Sequence, residues 1–241
     1  MSSLRAIIFD FDGVIADTEP LHYHGFRQVL ETIGIPLSEQ DYYANYLGFD
    51  DRGAFQAALT ADGRPVTDEA VAALMRQKAT AYLAAVKNHV RIFPGVVELV
   101  RSAAARMPLA IASGALRGEI ELILEVAGLR ACFRHITSAE DVSRGKPNPE
   151  CFQLALAALN RERTAQGTEA IVPADCLVIE DSMPGIRGGK AAGMKVLGVA
   201  TTHSLPELTI ADAAVQSLTD TSVDDLNRRL WGASAPQHTR P

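Results

Sequence analysis

Short, uninterrupted runs of apolar residues recur along this chain, and they constrain its fold more than any other feature. Each run is too short for a buried helix and is typical of a strand that is covered on both faces. The runs therefore predict a buried sheet. The clear examples are Ala6–Phe9, Leu109–Ala112, Cys176–Ile179 and Lys195–Val199, and the weaker ones are His135–Thr137 and Ala213–Val215.

Stretches with the apolar spacing of helices lie between these runs. Two of them are followed by a glycine, Gly128 or Gly193, at the place where a glycine commonly ends a helix. Because strand and helix alternate, we predict an α/β fold with a doubly wound parallel sheet. The predicted helices are Val96–Arg106, Arg117–Ala127, Pro149–Leu159 and Pro184–Ala192.

One long segment, from about Leu21 to about Asn88, interrupts the alternation because it contains no convincing buried strand. Leu21–Ile33 and Asp68–Val86 have the spacing of amphipathic helices, and we expect another helix between them. Thr67 directly precedes the second of these helices and is its expected N-cap. The segment is therefore predicted to be a small all-helical domain inserted after the first strand.

The domain boundaries follow from this insertion and from the composition of the tail. Residues 1–17 and 90–231 are predicted to form the α/β core, and residues 18–89 the helical domain. Residues 232–241 are rich in Ala, Pro and polar side chains, so we expect a disordered tail there. A chain of 241 residues is long enough for one large domain with a smaller insert.

Net charge and cysteine content exclude several classes of protein. The formal net charge is −6, so no surplus of basic residues exists to neutralise a nucleic acid. Cys132, Cys151 and Cys176 are odd in number and widely spaced, which argues against a disulfide framework or a zinc site. The first apolar run is too short for a signal peptide or a membrane span. We therefore expect a cytoplasmic protein without nucleic-acid or membrane partners.

Two aspartates, Asp10 and Asp12, directly follow the first predicted strand. They lie on one side of an extended chain, at the sheet edge where open α/β sheets bind ligands. Two neighbouring carboxylates repel each other, so the pair favours a cation or a shared proton, although such short pairs also occur as structural caps. An EF-hand is excluded because Gly13 comes two positions early and Val14 occupies a ligand position.

Further polar groups are predicted at the same edge of the sheet. Ser113-Gly114 follows the second clear run, where a hydroxyl and backbone N–H groups can cradle a phosphate. Lys146 lies in a loop stiffened by two prolines, and Glu180-Asp181 close the third clear run. Two acidic pairs, a hydroxyl and a lysine predict an anion site around a hard cation, for which magnesium is suited.

These residues resemble the four motifs of the haloacid dehalogenase superfamily. The resemblance is to the branch with a helical cap, which includes β-phosphoglucomutase and phosphoglycolate or sugar phosphatases. It implies a Rossmann-like core and a mobile cap with hinges near Ile15–Glu19 and His89–Gly95. The matching segments are Asp10–Thr18, Ser113-Gly114, Lys146-Pro147, and Glu180–Ser182 with Gly185 and Ala191–Gly193.

The resemblance also implies the reaction and the role of each residue. Asp10 would be the nucleophile that forms an aspartyl phosphate, and Asp12 the general acid and then base. Magnesium would be bound by the Asp10 side chain, the Asp12 backbone carbonyl and Asp181, with Glu180 beside it. The groups that hold the phosphoryl group would be Ser113, Gly114 and Lys146. The implied enzyme is a monomeric, magnesium-dependent phosphatase of a small phosphorylated metabolite, of the sugar phosphate or phosphoglycolate type.

Gly185 departs from the fourth motif of the family, and four residues of the predicted cap are candidates for contact with the substrate. Gly185 stands where many phosphatases of the family have an aspartate in the outer shell of the metal, which bears on magnesium affinity. In the predicted cap, β-phosphoglucomutases use a histidine and a lysine at similar places. Ordinary solvated charge is the alternative interpretation for the arginine and the lysine. The candidates for substrate contact are Thr18, His22, Arg52 and Lys78.

Three other functions are alternatives to a phosphatase. A dinucleotide-binding protein is excluded because Asp10–Gly13 replaces the glycine-rich turn after the first strand. A non-catalytic metal- or phosphate-binding protein is disfavoured by the complete set of four motifs. A phosphomutase shares the first half-reaction and differs only in passing the phosphoryl group to a second hydroxyl of the substrate, so it stays open.

Overall fold

The computed structural model describes residues 3–46, 49 and 51–232. Its internal contacts divide the chain into two units. The core unit combines the chain up to Asp17 with the chain from Arg91 onward, and the helical unit is Thr18–Val90. Within the described residues, no helix is both long and apolar enough to cross a membrane. The predicted disordered tail, 232–241, lies outside the described residues from position 233 onward.

The core unit is built on a parallel sheet. The strands of the described residues, in chain order, are β1 (Ala6–Phe9), β2 (Ala16–Asp17), β3 (Arg91–Ile92), β4 (Leu109–Ala112), β5 (His135–Thr137), β6 (Cys176–Glu180), β7 (Lys195–Val199) and β8 (Ala213–Val215). Six of them form one sheet in the order β5-β4-β1-β6-β7-β8, with every pair parallel. All six predicted runs are strands of this sheet, and the predicted α/β fold is confirmed.

Nine α-helices occur in the described ranges. They are α1 (Glu19–Thr32), α2 (Glu39–Asn45), α3 (Asp51–Ala61), α4 (Asp68–His89), α5 (Val96–Ala104), α6 (Arg117–Val126), α7 (Glu150–Ala165), α8 (Met183–Ala191) and α9 (Val223–Trp231). The first four form the helical unit, and the others belong to the core unit. The sequence predicted one helix between α1 and α4, whereas two are present, and α9 was not predicted.

β1 lies between β4 and β6, and its register sets the position of the acidic residues. Phe9 pairs with Ile111 on one side and with Ile179 on the other. The backbone N–H of Asp10 extends the ladder by donating to the carbonyl of Ile179 at 2.9 Å. Asp10 therefore leaves its strand beside Glu180, the last residue of β6.

The chain passes through a small second sheet where it enters and leaves the helical unit. β2 and β3 pair antiparallel, with Ala16 opposite Ile92 and Asp17 opposite Arg91. The backbone N–H of Phe93 then donates to the carbonyl of Ile15 at 3.0 Å. The insertion therefore begins after β2 rather than directly after β1. Strands of two residues are too short to produce an alternating pattern, so the sequence did not predict them.

The four helices of the helical unit enclose an apolar core of their own. Phe26 of α1, Phe55 of α3 and Val71 of α4 are buried together in it. The predicted N-cap is confirmed, because the Thr67 hydroxyl accepts from the backbone N–H of Ala70 at 3.2 Å. These contacts join helices that are distant in sequence, and they give the insert the hydrophobic core that an independent domain requires.

A glycine in α8 allows this helix to lie close to the sheet. A Cβ atom built on Gly189 would lie 2.9 Å from Cγ2 of Val196 in β7 and 3.3 Å from Cβ of Val178 in β6. Both valines are fully buried. Because Glu180 ends β6 and Asp181 follows it, just before α8, this close approach helps to fix the acidic end of β6.

We expect Gly189→Ala to lower the free energy of unfolding by about 1–3 kcal/mol, since the added methyl group overpacks the helix against β-branched neighbours. Gly118 in α6 is the matched control, because a Cβ atom there meets nothing within 4 Å. Gly118→Ala should instead stabilise the protein by about 0.5 kcal/mol through helix propensity. Denaturant unfolding of both variants checks this, and equal effects at the two positions would contradict the packing account.

Candidate active site

Asp10 is a buried carboxylate at the carboxyl end of the central strand. Its Oδ1 atom accepts a hydrogen bond from the Lys146 ammonium group at 2.6 Å. Burial, reinforced by the charge of Glu180, raises the pKa of Asp10 well above its usual range, although Lys146 opposes this. The stabilisation that Lys146 gives to the Asp10 carboxylate is therefore smaller than the destabilisation that comes from burial and from Glu180.

Lys146 connects the carboxylate of Asp10, which directly follows β1, with that of Glu180, which ends β6. Its Nζ atom lies 2.6 Å from Oδ1 of Asp10 and 2.7 Å from Oε1 of Glu180, and 5.1 Å from the ring centre of Phe152. Burial lowers the pKa of Lys146, but the charges of Asp10 and Glu180 outweigh it and raise that pKa above its ordinary value. The lysine is therefore a fixed cation.

The loop before α7 holds Lys146 in position through its own polar contacts. The carboxylate of Glu150, the first residue of α7, accepts hydrogen bonds from the backbone N–H groups of Ser143 and Arg144 at 3.1 and 3.0 Å. Asn148 in turn accepts from the backbone N–H of Glu150 at 3.1 Å. An acid in the first turn of a helix is also favoured by the helix dipole.

Glu180 has both of its oxygens occupied by donors within the protein. While Oε1 accepts from Lys146, Oε2 accepts from the backbone N–H groups of Asp181 and Ser182 at 3.0 and 2.9 Å, and from the Ser182 hydroxyl at 2.9 Å. Ser182 is the N-cap of α8, accepting from Gly185 N–H at 3.1 Å. Glu180 therefore ties the end of β6, the start of α8 and Lys146 together.

Gly185 has no room for a side chain, because Glu180 fills the adjacent space. A Cβ atom at this position would lie 1.6 Å from Oε1 of Glu180. The sequence showed this glycine where many phosphatases of the resembling family have an aspartate, and the structure gives a physical reason for the difference. A carboxylate is already present there, supplied by β6 rather than by α8.

Asp181 lies against a close turn on one side and a hydroxyl on the other. A Cβ atom on Gly13, whose φ is 75°, would lie 1.9 Å from Oδ2 of Asp181. The hydroxyl of Thr202, in the loop after β7, donates to the same oxygen. Burial, opposed by that hydrogen bond and reinforced by Glu180, raises the pKa of Asp181 to about 6. The neighbouring Thr201 hydroxyl donates to the Gly13 carbonyl at 2.5 Å.

Three carboxylates meet at this edge of the sheet, and we call them the acidic cluster: Asp10, Glu180 and Asp181. One oxygen from each lies within 4.8 Å of the others, and all three residues are buried. Lys146 supplies one positive charge against three negative ones. The remaining negative charge and the oxygen ligands suit a hard divalent cation, which the acidic cluster could hold.

The other residues predicted for the core unit occupy different positions around this edge. Ser113 is buried, and its hydroxyl accepts from the backbone N–H of Ala115 at 3.0 Å. Gly114 is exposed, with open space around its Cα atom. Asp12 is half-buried and forms an isolated bridge with Ala16. Its side chain is not among the metal-ligating groups found in the described residues.

Two hydroxyl residues of the core unit were not identified from the sequence. Thr202 lies in a loop that carries no recognisable motif, and only its hydrogen bond to Asp181 draws attention to it. Thr137, at the end of β5, has a buried hydroxyl without a hydrogen-bond partner in the described part of the chain. Its backbone carbonyl accepts from the N–H of Ser113 at 2.9 Å. A threonine at a predicted strand end is the one signal that could have marked it.

The predicted residues of the helical unit differ in their surroundings. Thr18 precedes α1, and its carbonyl accepts from the N–H of His22 at 3.1 Å. Lys78 is only 1% exposed, and its ammonium lies 2.7 Å from Nδ1 of His22, so the solvated interpretation of this lysine was wrong. Arg52 is exposed and pairs with Asp68 at 2.8 Å, as a solvated charge would.

Buried carboxylates with perturbed pKa values around one lysine are typical of a catalytic site, so the arrangement in the core unit favours an enzyme. Comparison with known proteins identifies the family. The model of the haloacid dehalogenase-like hydrolases matches residues 7–199. The chain therefore belongs to the haloacid dehalogenase-like hydrolase family, and the resemblance found in the sequence is confirmed.

Individual relatives agree with this assignment. A phosphorylated carbohydrates phosphatase of Thermotoga maritima is 30% identical over 207 residues, covering 84% of this chain and 87% of that protein. A bifunctional riboflavin kinase/FMN phosphatase of Arabidopsis thaliana is 36% identical over 148 residues, which are 60% of this chain but only 35% of that protein. The chain thus spans about a third of that relative's length.

A solved structure shares the fold. The β-phosphoglucomutase of Clostridium difficile matches with a TM-score of 0.73 and 22% identity, covering 95% of this chain and 98% of that one. At this identity the likeness concerns the fold alone, which is the parallel sheet with its flanking helices.

We expect Gly185→Ala to displace the Glu180 carboxylate and lower the free energy of unfolding by about 2–4 kcal/mol, because a buried hydrogen-bonded network is disrupted. Gly145, next to Lys146, is the matched control, since a Cβ atom there meets nothing within 4 Å. Gly145→Ala should change stability by less than about 1 kcal/mol. Thermal and denaturant unfolding give the comparison, and a Gly185→Ala protein of unchanged stability would contradict the described packing.

Proposed function

We propose that this enzyme is a magnesium-dependent phosphatase of small phosphorylated carbohydrates, acting through an aspartyl phosphate on Asp10. The observation that carries the proposal is the position of Lys146 between Asp10 and Glu180, with Asp181 completing the acidic cluster. This combination supplies a nucleophile, a fixed cation and ligands for a divalent ion at one sheet edge. Such positioning and charge compensation are the main requirements of phosphoryl transfer.

In the first step, a carboxylate oxygen of Asp10 attacks the phosphorus atom in line with the ester oxygen. The bond from phosphorus to the ester oxygen breaks as the bond to Asp10 forms. Asp12 gives its proton to the leaving oxygen, which departs as the hydroxyl of the dephosphorylated product. Lys146 and Ser113 hold the phosphoryl oxygens, with Gly114 beside Ser113.

In the second step, the carboxylate of Asp12 removes a proton from a water molecule, whose oxygen attacks the phosphorus atom. The bond between phosphorus and Asp10 breaks, which releases inorganic phosphate and restores the Asp10 carboxylate. Asp12 is left protonated for the next cycle. Asp12 therefore acts as acid and then base, while Asp10 alone becomes covalently modified.

Asp10 and Asp181 are the proposed side-chain ligands of magnesium, with the backbone carbonyl of Asp12 and with Glu180 beside them. Glu180 already accepts hydrogen bonds on both oxygens, so its main role is to orient Lys146. When bound, magnesium would supply the positive charge that allows a phosphate dianion to approach the acidic cluster.

The substrate class rests on relatives and on the helical unit. A relative that is 30% identical over most of both chains is a phosphorylated carbohydrates phosphatase. We propose that His22, with Thr18 and Lys78, contacts the sugar part of the substrate, while Arg52, already paired with Asp68, contributes least. The hydroxyl of Thr18 and the imidazole of His22 are suited to sugar hydroxyl groups, which both donate and accept hydrogen bonds.

We expect Asp10→Asn to lower the hydrolysis of p-nitrophenyl phosphate and of hexose phosphates by at least about 1,000-fold, because the amide cannot form the covalent intermediate. Asp224→Asn, which alters an exposed carboxylate paired with Arg106, is the matched control and should keep full activity. Wild-type-like rates in the Asp10 variant would overturn the assignment.

The products separate the proposed phosphatase from a phosphomutase. Phosphorus NMR of a reaction with a hexose phosphate should show inorganic phosphate and the loss of the ester signal. Conversion to an isomeric hexose phosphate would assign the mutase activity instead.

Magnesium should raise the melting temperature by about 5–10 °C at a concentration about 100-fold above its Kd, since the acidic cluster binds it only when folded. Thr202→Val should weaken magnesium binding about tenfold, because Asp181 loses the hydroxyl that orients it. Thr202→Ser keeps that hydroxyl and should restore the shift in melting temperature.

Asp212→Asn is the control for this measurement, because Asp212 pairs with Lys190 and Lys195, away from the acidic cluster. The magnesium-induced shift should persist in that variant and disappear in Asp181→Asn. A shift of wild-type size in Asp181→Asn would mean that the ion binds elsewhere.

A further inference from the structure

The loop that follows β4 carries two of the residues proposed to hold the phosphoryl group, and we call it the serine loop: Ser113–Leu116. It ends where α6 begins, at Arg117. Leu116 is the N-cap residue of α6, but its side chain makes no capping hydrogen bond. Because the first N–H groups of a helix have no acceptors within the helix, the start of α6 depends on groups outside the serine loop.

A carboxylate from the loop after β5 supplies one such acceptor. Oε2 of Glu140 accepts a hydrogen bond from the backbone N–H of Arg117 at 2.8 Å. A negative charge at this end of a helix is also favoured by the helix dipole. In addition, the backbone N–H of Ala139 donates to the carbonyl of Ala115 at 3.0 Å. The loop after β5 is therefore bonded both to the serine loop and to the start of α6.

The side chain of Arg117 makes a second connection to the loop after β5. Its Nη2 atom donates to the carbonyl of Ile136 at 3.0 Å and to Oδ2 of Asp141. β5 is an edge strand, and the carbonyl of Thr137 faces β4, where it accepts from Ser113. The carbonyl of Ile136 therefore faces the open edge of the sheet, and Arg117 supplies its donor.

Asp141 is the ionised partner of Arg117. Its Oδ2 atom also accepts from the backbone N–H and the hydroxyl of Ser138, at 2.7 and 2.9 Å. Burial would raise the pKa of Asp141, but these hydrogen bonds and the charge of Arg117 lower that pKa below its ordinary value. The charge of Arg117 is thus compensated within the protein. We call Arg117, Glu140 and Asp141 the arginine brace.

The conformation of the serine loop sets the direction of the Ser113 hydroxyl. Ser113 is buried, and its hydroxyl oxygen accepts from the backbone N–H of Ala115 at 3.0 Å. With its oxygen engaged as an acceptor, the hydroxyl can donate its own proton to a phosphoryl oxygen. Any shift of Ala115 therefore redirects this donor.

We propose that Arg117 is a positioning residue for phosphoryl transfer: the arginine brace holds the serine loop so that the Ser113 hydroxyl, with Gly114 beside it, meets the phosphoryl oxygens. The inference rests on the proposed function, in which Ser113 and Gly114 hold the phosphoryl group. Arg117 acts through these two residues, since its own charge is compensated by Asp141. Donors that stabilise a transition state must be placed accurately before the reaction begins, and the brace provides that placement.

The first test is Arg117→Met, which removes the donors of the side chain and keeps an apolar stem. With saturating magnesium, we expect kcat/KM for p-nitrophenyl phosphate to fall about tenfold and the Kd of inorganic phosphate to rise about tenfold, because the displaced donors hold the phosphoryl group less well. The shift in melting temperature that magnesium induces should keep its wild-type size, since the acidic cluster is unchanged.

A double variant distinguishes positioning from a general loss of stability. If Arg117 acts through Ser113, a Ser113→Ala protein has already lost the main group that the brace positions. Adding Arg117→Met to that protein should then lower kcat/KM by less than about threefold more. A further loss of about tenfold in the Ser113→Ala background would overturn the inference, because independent effects multiply.

Arg130→Met is the matched control. Arg130 donates to the carbonyl of Phe133 at 3.1 Å and pairs with Glu121 of α6 at 3.5 Å. Its side chain is 39% exposed, compared with 37% for that of Arg117. Arg130 precedes β5, whereas the serine loop follows β4, so the two arginines serve different ends of the sheet. Arg130→Met should keep both kcat/KM and the affinity for phosphate.

Unchanged kcat/KM in a folded Arg117→Met protein, or an equal loss in Arg130→Met, would overturn the inference while leaving the phosphatase assignment intact. If Arg117→Met does not fold, Asp141→Asn decides, because it weakens the same ion pair and should lower the affinity for phosphate about threefold. Wild-type affinity in Asp141→Asn would then overturn the inference. Absence of magnesium-dependent hydrolysis of p-nitrophenyl phosphate by the wild type would overturn the proposed function as well.

Discussion

The ammonium group of Lys146 lies between two carboxylates that would otherwise repel each other inside the protein. Asp10 directly follows the central strand and Glu180 ends its neighbour, so the parallel register brings the two carboxylates together despite their repulsion. Removing one partner of such a buried pair typically costs about 3–5 kcal/mol, because the other charge is left uncompensated. The sheet thus brings negatively charged side chains together at one edge. Lys146 compensates part of that charge, which makes the arrangement compatible with folding.

The single charge of Lys146 does not balance the three carboxylates of the acidic cluster. Other groups of the core unit make room for these carboxylates and donate hydrogen bonds to them. Gly13 and Gly185 leave space that only a glycine can leave, so that the side chains of Asp181 and Glu180 fit beside them. Hydroxyl and backbone N–H donors then saturate Glu180 and orient Asp181. A divalent cation between Asp10 and Asp181 would complete the charge balance, and a phosphate ester would then be attracted to the same edge.

Much of this was predictable, since buried strands and their terminal acids follow from apolar runs and from parallel topology. Other features were not predicted, for physical reasons. Strands of two residues are too short to show the alternation of apolar and polar residues that marks a strand. The burial of Lys78 depends on its ion pair with Asp51, which lies 27 positions away in the sequence. The sequence did not predict α9 and predicted only one helix where α2 and α3 lie, although α2 and α9 both had a signal. Each starts with a serine that caps the N–H of an aspartate three residues later, a pairing that marks helix starts.

The most direct test of the account is a crystal structure grown with manganese, whose anomalous scattering locates the ion without ambiguity. The account predicts one strong anomalous peak within bonding distance of the Asp10 and Asp181 carboxylates, with Lys146 still in contact with Glu180. An ion bound elsewhere, or an acidic cluster that stays empty at saturating manganese, would contradict the claim that residual negative charge at this sheet edge creates the site.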